Sequence, residues 1–369
     1  MSTLLELVKF GQSYWIDDLS RAMIKSGELR RRVIEEGLTG VTDNPAIFNA
    51  ALSKNNDYDE QVRELAAQPA SSVYEALIVT DVRNACDILR PVYDRTEGRD
   101  GFVSLEVSPL LARDTQGSIA EARRFWQAVA RPNLFIKIPG TPEGVPAIEE
   151  LLFEGININI TLLFSIERYE AVAAAYLRAL ERRVAEKAPI HQIASVASFF
   201  LSRIDTLVDE LLQDKIKGGS PDAERLLGKC AIANAKLAYQ RFKKMASSPR
   251  WHSLEGAGAL PQRLLWASTS TKNPSYDDLL YVEPLIGAQT INTLPRKTIT
   301  AFAQHGKATA SLEQGLDEAQ QVMGDLKKTG IDLQRVTEQL LDEGIEKFNQ
   351  AFDEILQTIA GKAEPSGSR

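Results

Sequence analysis

The sequence predicts a (β/α)8 barrel, a TIM barrel carrying additional helices. Three observations carry that prediction: eight short apolar runs ending in polar residues, longer stretches of helical period between them, and a length of 369 residues. A closed α/β barrel with insertions reaches that length as one domain. The runs are SYWID (13–17), LTGVT (38–42), FVSLEV (102–107), LFIKI (134–138), ININITL (156–162), IASVAS (193–198), LLWAST (264–269) and TINT (290–293). Helices are expected over 19–36, 71–90, 118–130, 143–154, 165–187, 200–217, 221–246 and 274–282. Strands alternating with helices through right-handed crossovers make a parallel sheet, and eight such units close it. After the last strand, 332–360 carries an apolar stripe at helical spacing that includes Leu340, Phe348, Phe352 and Ile359. Such a stripe must pack on something, and the barrel rim is the expected partner. Residues 1–360 are read as one barrel domain, and GKAEPSGSR (361–369) as a frayed tail.

Composition narrows the class. With 44% hydrophobic and 25% charged residues the chain matches a globular protein rather than a disordered or fibrous one. No run approaches the roughly 20 apolar residues of a membrane helix. Glu6 and Lys9 interrupt the start where a signal peptide keeps an unbroken apolar run, so a cytoplasmic protein is expected. A net charge of −7 disfavours a nucleic-acid or anionic-membrane surface. Cys86 and Cys230 lie far apart in helix-like surroundings and form neither a disulfide framework nor a C-x-x-C motif. The three histidines make no H-x-x-x-H pair and no P-loop is present, so no metal site and no cofactor is expected. The chemistry falls to Lys, Asp, Glu and hydroxyl groups.

Strands buried on both faces of a parallel barrel should read as Val, Ile and Leu. Several here carry polar residues instead, clustered at their carboxyl ends, which in a barrel all open on one face. Asp17 ends its run, Glu106 and Lys137 sit inside theirs, and Ser198 closes another. Lys137, enclosed by Phe135, Ile136, Ile138 and Pro139, loses hydration, and desolvation favours the neutral amine that can form a Schiff base with a ketone. An ordinary edge lysine snorkelling to water is the competing reading. Asp17 and Asp18 cannot both point inward; Asp18 either rivals Asp17 or caps a helix beginning at Leu19. Asn44, extended because Pro45 follows it, either projects from the strand top or caps the next helix. Asn157, Asn159 and Thr161 share one face at period two, a hydrogen-bonding wall for a polyhydroxylated ligand or a satisfied layer inside the barrel. Arg203 and Lys272, each just past a strand end, are candidate anion ligands.

The segments GVTDNPAIF, VSLEVSP, LFIKIPGTPEG, INITLLFS, SVASFFLSRID and WASTSTKNPSY carry a resemblance. In these segments and their order the chain resembles the transaldolases of the pentose phosphate pathway along nearly its whole length, in their longer bacterial form. The resemblance implies a transferase that moves a dihydroxyacetone unit between sugar phosphates. The donor would be sedoheptulose 7-phosphate or fructose 6-phosphate, and the acceptor glyceraldehyde 3-phosphate or erythrose 4-phosphate. Lys137 would be the Schiff-base lysine, Glu106 the acid/base, Asp17 the general base, and Thr161 would hold a catalytic water with Glu106. Asn44, Asn159 and Ser198 would contact the three-carbon unit, and Arg203 the phosphate. Many transaldolases place an arginine where this chain has Lys272. Sugar phosphates are the expected partners, and self-association into a homo-oligomer is compatible with the reading. Fructose 6-phosphate aldolases, a related and shorter group, carry a tyrosine in place of Phe200 and lack the Glu106 equivalent. A non-catalytic sugar-phosphate binding barrel should have lost Lys137 or Asp17, and both are present.

Overall fold

A computed structural model describes residues 3–363. Eight strands form one closed parallel barrel in chain order: β1 (Gln12–Asp17), β2 (Gly40–Thr42), β3 (Phe102–Glu106), β4 (Leu134–Pro139), β5 (Ile158–Leu163), β6 (Ser195–Phe200), β7 (Arg263–Ala267) and β8 (Thr290–Leu294). β8 pairs with β1 and closes the ring. All eight expected strands are present. β1 and β2 approach closely because Gly40 has no side chain; a Cβ there would lie 2.2 Å from the Trp15 ring.

Register converts sequence distance into proximity. Glu106 on β3 pairs with Lys137 on β4, and Lys137 pairs with Asn159 on β5. Thr161 follows opposite Pro139. Beyond it, the pairing of β5 with β6 shifts between Ile160 and Leu163, and Leu162 takes a φ of 58°. Bulges of this kind re-aim side chains at the rims of barrels.

The helices differ from expectation in several places. The expected helix 19–36 is broken into Arg21–Lys25, Glu28–Arg31 and a π-helical turn at Arg32–Glu36, because Gly27 turns the chain at φ 76°. Ser20, not Asp18, caps the first piece: its Oγ accepts from the Met23 N–H, while Asp18 pairs with Arg296. Segment 221–246 opens as a 3-10 turn, Pro221–Leu226, and becomes helical only over Cys230–Ala246. Segment 274–282 is not a helix. The Tyr276 and Tyr281 hydroxyls reach Asp209 and Asp205 on helix Ser202–Lys217, at 2.7 and 2.9 Å, and Asp277 Oδ1 accepts from the Leu279 N–H, which folds the segment into turns. Helices Pro45–Lys54, Asp59–Glu64, Pro249–Gly256, Arg296–His305 and Leu316–Lys328 have no counterpart in the expectation. Cys86 and Cys230 are free, buried helix residues.

The C-terminal helix runs from Leu333 to Ala363, three residues into the expected tail; residues 364–369 lie outside the described part. It does not simply edge the rim. It packs on Pro45–Lys54, Ala70–Arg95 and Ser202–Lys217 and touches β5. Phe352 stands edge-on to Tyr74, and Tyr74 edge-on to Phe48. Asn49 and Asp59 bond Glu354 and Lys362, at 2.7 and 2.6 Å.

Asp205 pins this region. Its carboxyl accepts from the Ala231 N–H and the Tyr281 hydroxyl, and burial pushes its pKa up to about 7, with Asp209 adding to the rise. The native state therefore holds this proton more tightly than the unfolded chain, whose Asp titrates near the ordinary value of about 3.9. This group's contribution is full below that value and is lost as pH rises through about 7. Thermal melts across that range should show a steeper loss in the native chain than in Asp205→Asn, and parallel slopes would contradict the assignment.

Candidate active site

At the carboxyl ends of the strands lies a cavity of about 310 Å³. Lys137, Asp17, Asn44, Ser198, Phe200, Arg203 and Lys272 all line it. The structure therefore brings together residues from β1, β4 and β6, from the loops after β2 and β7, and from the first turn of helix Ser202–Lys217.

Lys137 is the buried centre. Only 4% of it is exposed, and its Nζ donates to Glu106 Oε2 at 2.9 Å and to the Asp43 backbone carbonyl at 3.0 Å. The snorkelling alternative is excluded by that enclosure. Glu106 is buried as well, and burial raises its pKa against the lowering effect of Lys137. Its second oxygen, Oε1, has no protein partner, and neither has the buried Thr161 Oγ1 on β5. Two oxygens on strands flanking Lys137 thus keep hydrogen-bonding capacity to spare.

Asp17, rather than Asp18, faces the cavity. Thr42 donates to its Oδ1 at 2.8 Å, and the Thr42 hydroxyl lies 2.6 Å from that of Thr293. Burial raises the Asp17 pKa, while Lys137 and the Thr42 hydrogen bond oppose the rise. A desolvated carboxylate with one oxygen held and the other uncommitted is suited to accept a proton.

Asn44 fulfils both of its readings. Its Oδ1 caps helix Pro45–Lys54, accepting from the Ala46 and Ile47 N–H groups, so only the amide nitrogen remains for a ligand. Asn159 is wholly buried, donates to Ser104 Oγ at 3.0 Å and accepts from Ser198 Oγ at 2.7 Å. Asn157, on the same face, is turned to structural use: it bonds the Pro132 and Leu134 carbonyls and the Ala194 N–H at the far end of the strand.

The cations form a second pole. The Arg203 guanidinium sits 5.4 Å from the Phe200 ring centroid and 5.8 Å from that of Phe348, with Nη1 buried and unpartnered. Burial lowers its pKa, while Asp17, Glu106 and Glu343 act the other way. Lys272 Nζ donates to Ser270 Oγ at 2.6 Å. Partial desolvation and the neighbouring Arg203 lower the Lys272 pKa, the mark of two cations sharing one space.

A family model described as "Transaldolase/Fructose-6-phosphate aldolase" matches residues 14–359. The chain belongs to the transaldolase family. It is similar to Transaldolase 2 of Nostoc sp., 50% identical over 98% of this chain and 97% of that one. It is also similar to the Transaldolase of Trichodesmium erythraeum, at 48% over 98% and 97% of the two chains, and to that of Thiobacillus denitrificans, at 46% over 97% and 100%. It is accordingly an enzyme of the transaldolase family. Among the described residues no helix is long and apolar enough to cross a membrane.

Several groups that line this cavity carry little or no signal in the sequence. Thr42, Thr269 and Thr293 line the cavity as hydroxyls from three strand ends or the loops after them. A threonine closing a strand of small and apolar residues was the available signal. The Asp43 carbonyl on Lys137 has no sequence signal, since any residue supplies one. Phe348, from the C-terminal helix, lies with its ring centroid 5.8 Å from Lys137 Nζ.

Proposed function

We propose that the enzyme transfers a dihydroxyacetone unit from fructose 6-phosphate or sedoheptulose 7-phosphate to erythrose 4-phosphate or glyceraldehyde 3-phosphate, through a Schiff base on Lys137. The observation that carries this reading is the 2.9 Å contact of Lys137 with Glu106 in a cavity whose other members include Asp17, Arg203 and Lys272.

Transfer of the Lys137 proton to Glu106 leaves a neutral amine and a carboxylic acid in one step. The amine attacks the ketose C2. Glu106 then protonates the carbinolamine hydroxyl, and water departs. A water held between Glu106 Oε1 and Thr161 Oγ1, buried oxygens without protein partners on the two strands beside Lys137, would relay this proton and later return to hydrolyse the adduct. The iminium draws electrons from C3. Asp17 takes the C4 hydroxyl proton, the C3–C4 bond breaks, and its electron pair moves into the enamine; the aldose phosphate leaves. An incoming aldose phosphate reverses these steps. The iminium is the electron sink that the cleavage needs.

The remaining groups hold the ends of the substrate. The Asn44 amide nitrogen and the Ser198 hydroxyl meet the three-carbon unit, and Asn159 orients Ser198 while standing beside Lys137 on the next strand. Arg203 and Lys272 receive the phosphate, whose charge offsets the cost of holding two cations together. Losing one charged hydrogen bond there costs roughly 1.5 to 3 kcal/mol. Arg203→Ala should therefore raise KM for phosphorylated donor and acceptor by about ten- to a hundredfold or more, and leave the weak turnover of unphosphorylated fructose nearly unchanged. Lys272→Ala should act in the same direction but less. An equal loss on fructose would assign Arg203 to the fold or the chemistry.

The reading is tested by mixing the enzyme with fructose 6-phosphate and erythrose 4-phosphate. Sedoheptulose 7-phosphate and glyceraldehyde 3-phosphate should accumulate together. Free dihydroxyacetone as the main product would make the enzyme an aldolase instead.

A further inference from the structure

The C-terminal helix brings an apolar ring to the reacting centre of a polar cavity. Phe348 is 4% exposed, and its ring centroid lies 5.8 Å from both Lys137 Nζ and the Arg203 guanidinium carbon, so one side chain spans the amine and the cation. We propose that Phe348 is a specificity-determining residue: it shields the three-carbon unit on Lys137 from bulk water entering beside Arg203, beyond the one water held by Glu106 and Thr161, and thereby directs that unit to an acceptor sugar rather than to release. The inference rests on the Schiff-base reading above.

The helix holds the ring from both sides. One turn earlier, Gly344 faces the same way, and a Cβ there would stand 2.9 Å from Leu162 Cδ2 and 3.4 Å from Arg203 Nη1. The backbone is therefore pressed close against the β5 bulge and the cation. One turn later, Phe352 is locked edge-on against Tyr74 at 5.2 Å. Residues 344, 348 and 352 are spaced four apart and share one helix face. Glu354 and Lys362 tie the helix down beyond them. The ring is thus a fixed wall with no proton donor on it.

The chemistry makes such a wall consequential. The bound unit is an enamine with a nucleophilic carbon at C3. When a proton reaches C3, the species becomes an iminium. Water then adds at C2, the C–N bond breaks, and dihydroxyacetone leaves with Lys137 restored as an amine, a net consumption of one water. When an aldehyde reaches C3 first, the carbon–carbon bond forms and transfer is completed. Excluding water and proton donors from that face slows the first route without touching the second, a documented use of active-site closure against hydrolysis of reactive intermediates.

The test compares the full-length enzyme with Phe348→Leu, Phe348→Ala and Phe348→Tyr, using fructose 6-phosphate and erythrose 4-phosphate. Released dihydroxyacetone and sedoheptulose 7-phosphate are quantified together, with borohydride trapping in parallel. The ratio of release to transfer should rise by about tenfold or more in Phe348→Ala, and also in Phe348→Tyr, which keeps the ring but adds a hydroxyl. Phe348→Leu conserves apolar packing and should rise less, and it carries the comparison should the alanine variant fail to fold. A merely structural role would lower stability or total activity and leave the ratio unchanged. An unchanged ratio in variants that still trap the unit on Lys137 overturns this inference alone. Failure of the unmodified enzyme to trap on Lys137 overturns the Schiff-base reading, and the inference with it.

Discussion

Lys137→Ala should abolish transfer, with a loss on the order of 10⁶-fold, as expected when a covalent nucleophile is removed from a unit of interdependent groups. Among the described residues no other lysine bonds Glu106 or the Asp43 carbonyl; Lys272 lies beside Arg203 instead. The substitution also leaves Glu106 buried without its cation. Breaking a buried pair costs about 3 to 5 kcal/mol when the remaining charge cannot adjust, but a carboxyl already raised by burial can take up a proton and limit that cost. Lys137→Met, which conserves most of the volume, is the cleaner form of the experiment. Circular dichroism should show the fold retained, and a coupled assay of aldose phosphate release should show no turnover. Transfer at more than a small fraction of the native rate in either variant would remove Lys137 from the centre of the mechanism.

Asp17→Asn should slow carbon–carbon cleavage by about 10²- to 10⁴-fold, the usual worth of a positioned general base. The two halves of the reaction should separate. The variant still carries Lys137 and Glu106, so it should form the adduct, but borohydride should capture the whole six-carbon sugar rather than three carbons. In the native enzyme Asp17 must be ionised to accept the C4 hydroxyl proton, and its pKa is raised by burial. The acid limb of the cleavage rate should consequently lie above the ordinary carboxylate range and disappear in Asp17→Asn. A three-carbon adduct formed at the native rate in the variant would move the base role to another group.

The sequence made the barrel legible because each of eight strands pairs an apolar body with a polar end, and a closed parallel barrel gathers all such ends on one face. Lys137, Glu106 and Asp17 stood out for the same reason, as charges where Val, Ile or Leu belong. What escaped notice depends on contacts across the fold. Segment 274–282 has helical spacing, yet Asp205 and Asp209 draw its tyrosines inward and turns result. Asp18 fits locally either as a rival to Asp17 or as a cap before Leu19, but Arg296, far along the chain, claims its carboxylate and Ser20 does the capping. Phe348 was visible as one member of an apolar stripe. Nothing local distinguishes the ring that meets Lys137 from its neighbour Phe352, which meets Tyr74.

The most direct test of the Schiff-base account is peptide mass spectrometry of the native enzyme after borohydride reduction in the presence of fructose 6-phosphate. The account predicts one modified peptide, with a reduced three-carbon dihydroxyacetone unit on Lys137 and no adduct in Lys137→Met. An adduct on Lys272 or any other lysine, or none at all in an enzyme that turns over the sugar, would contradict it.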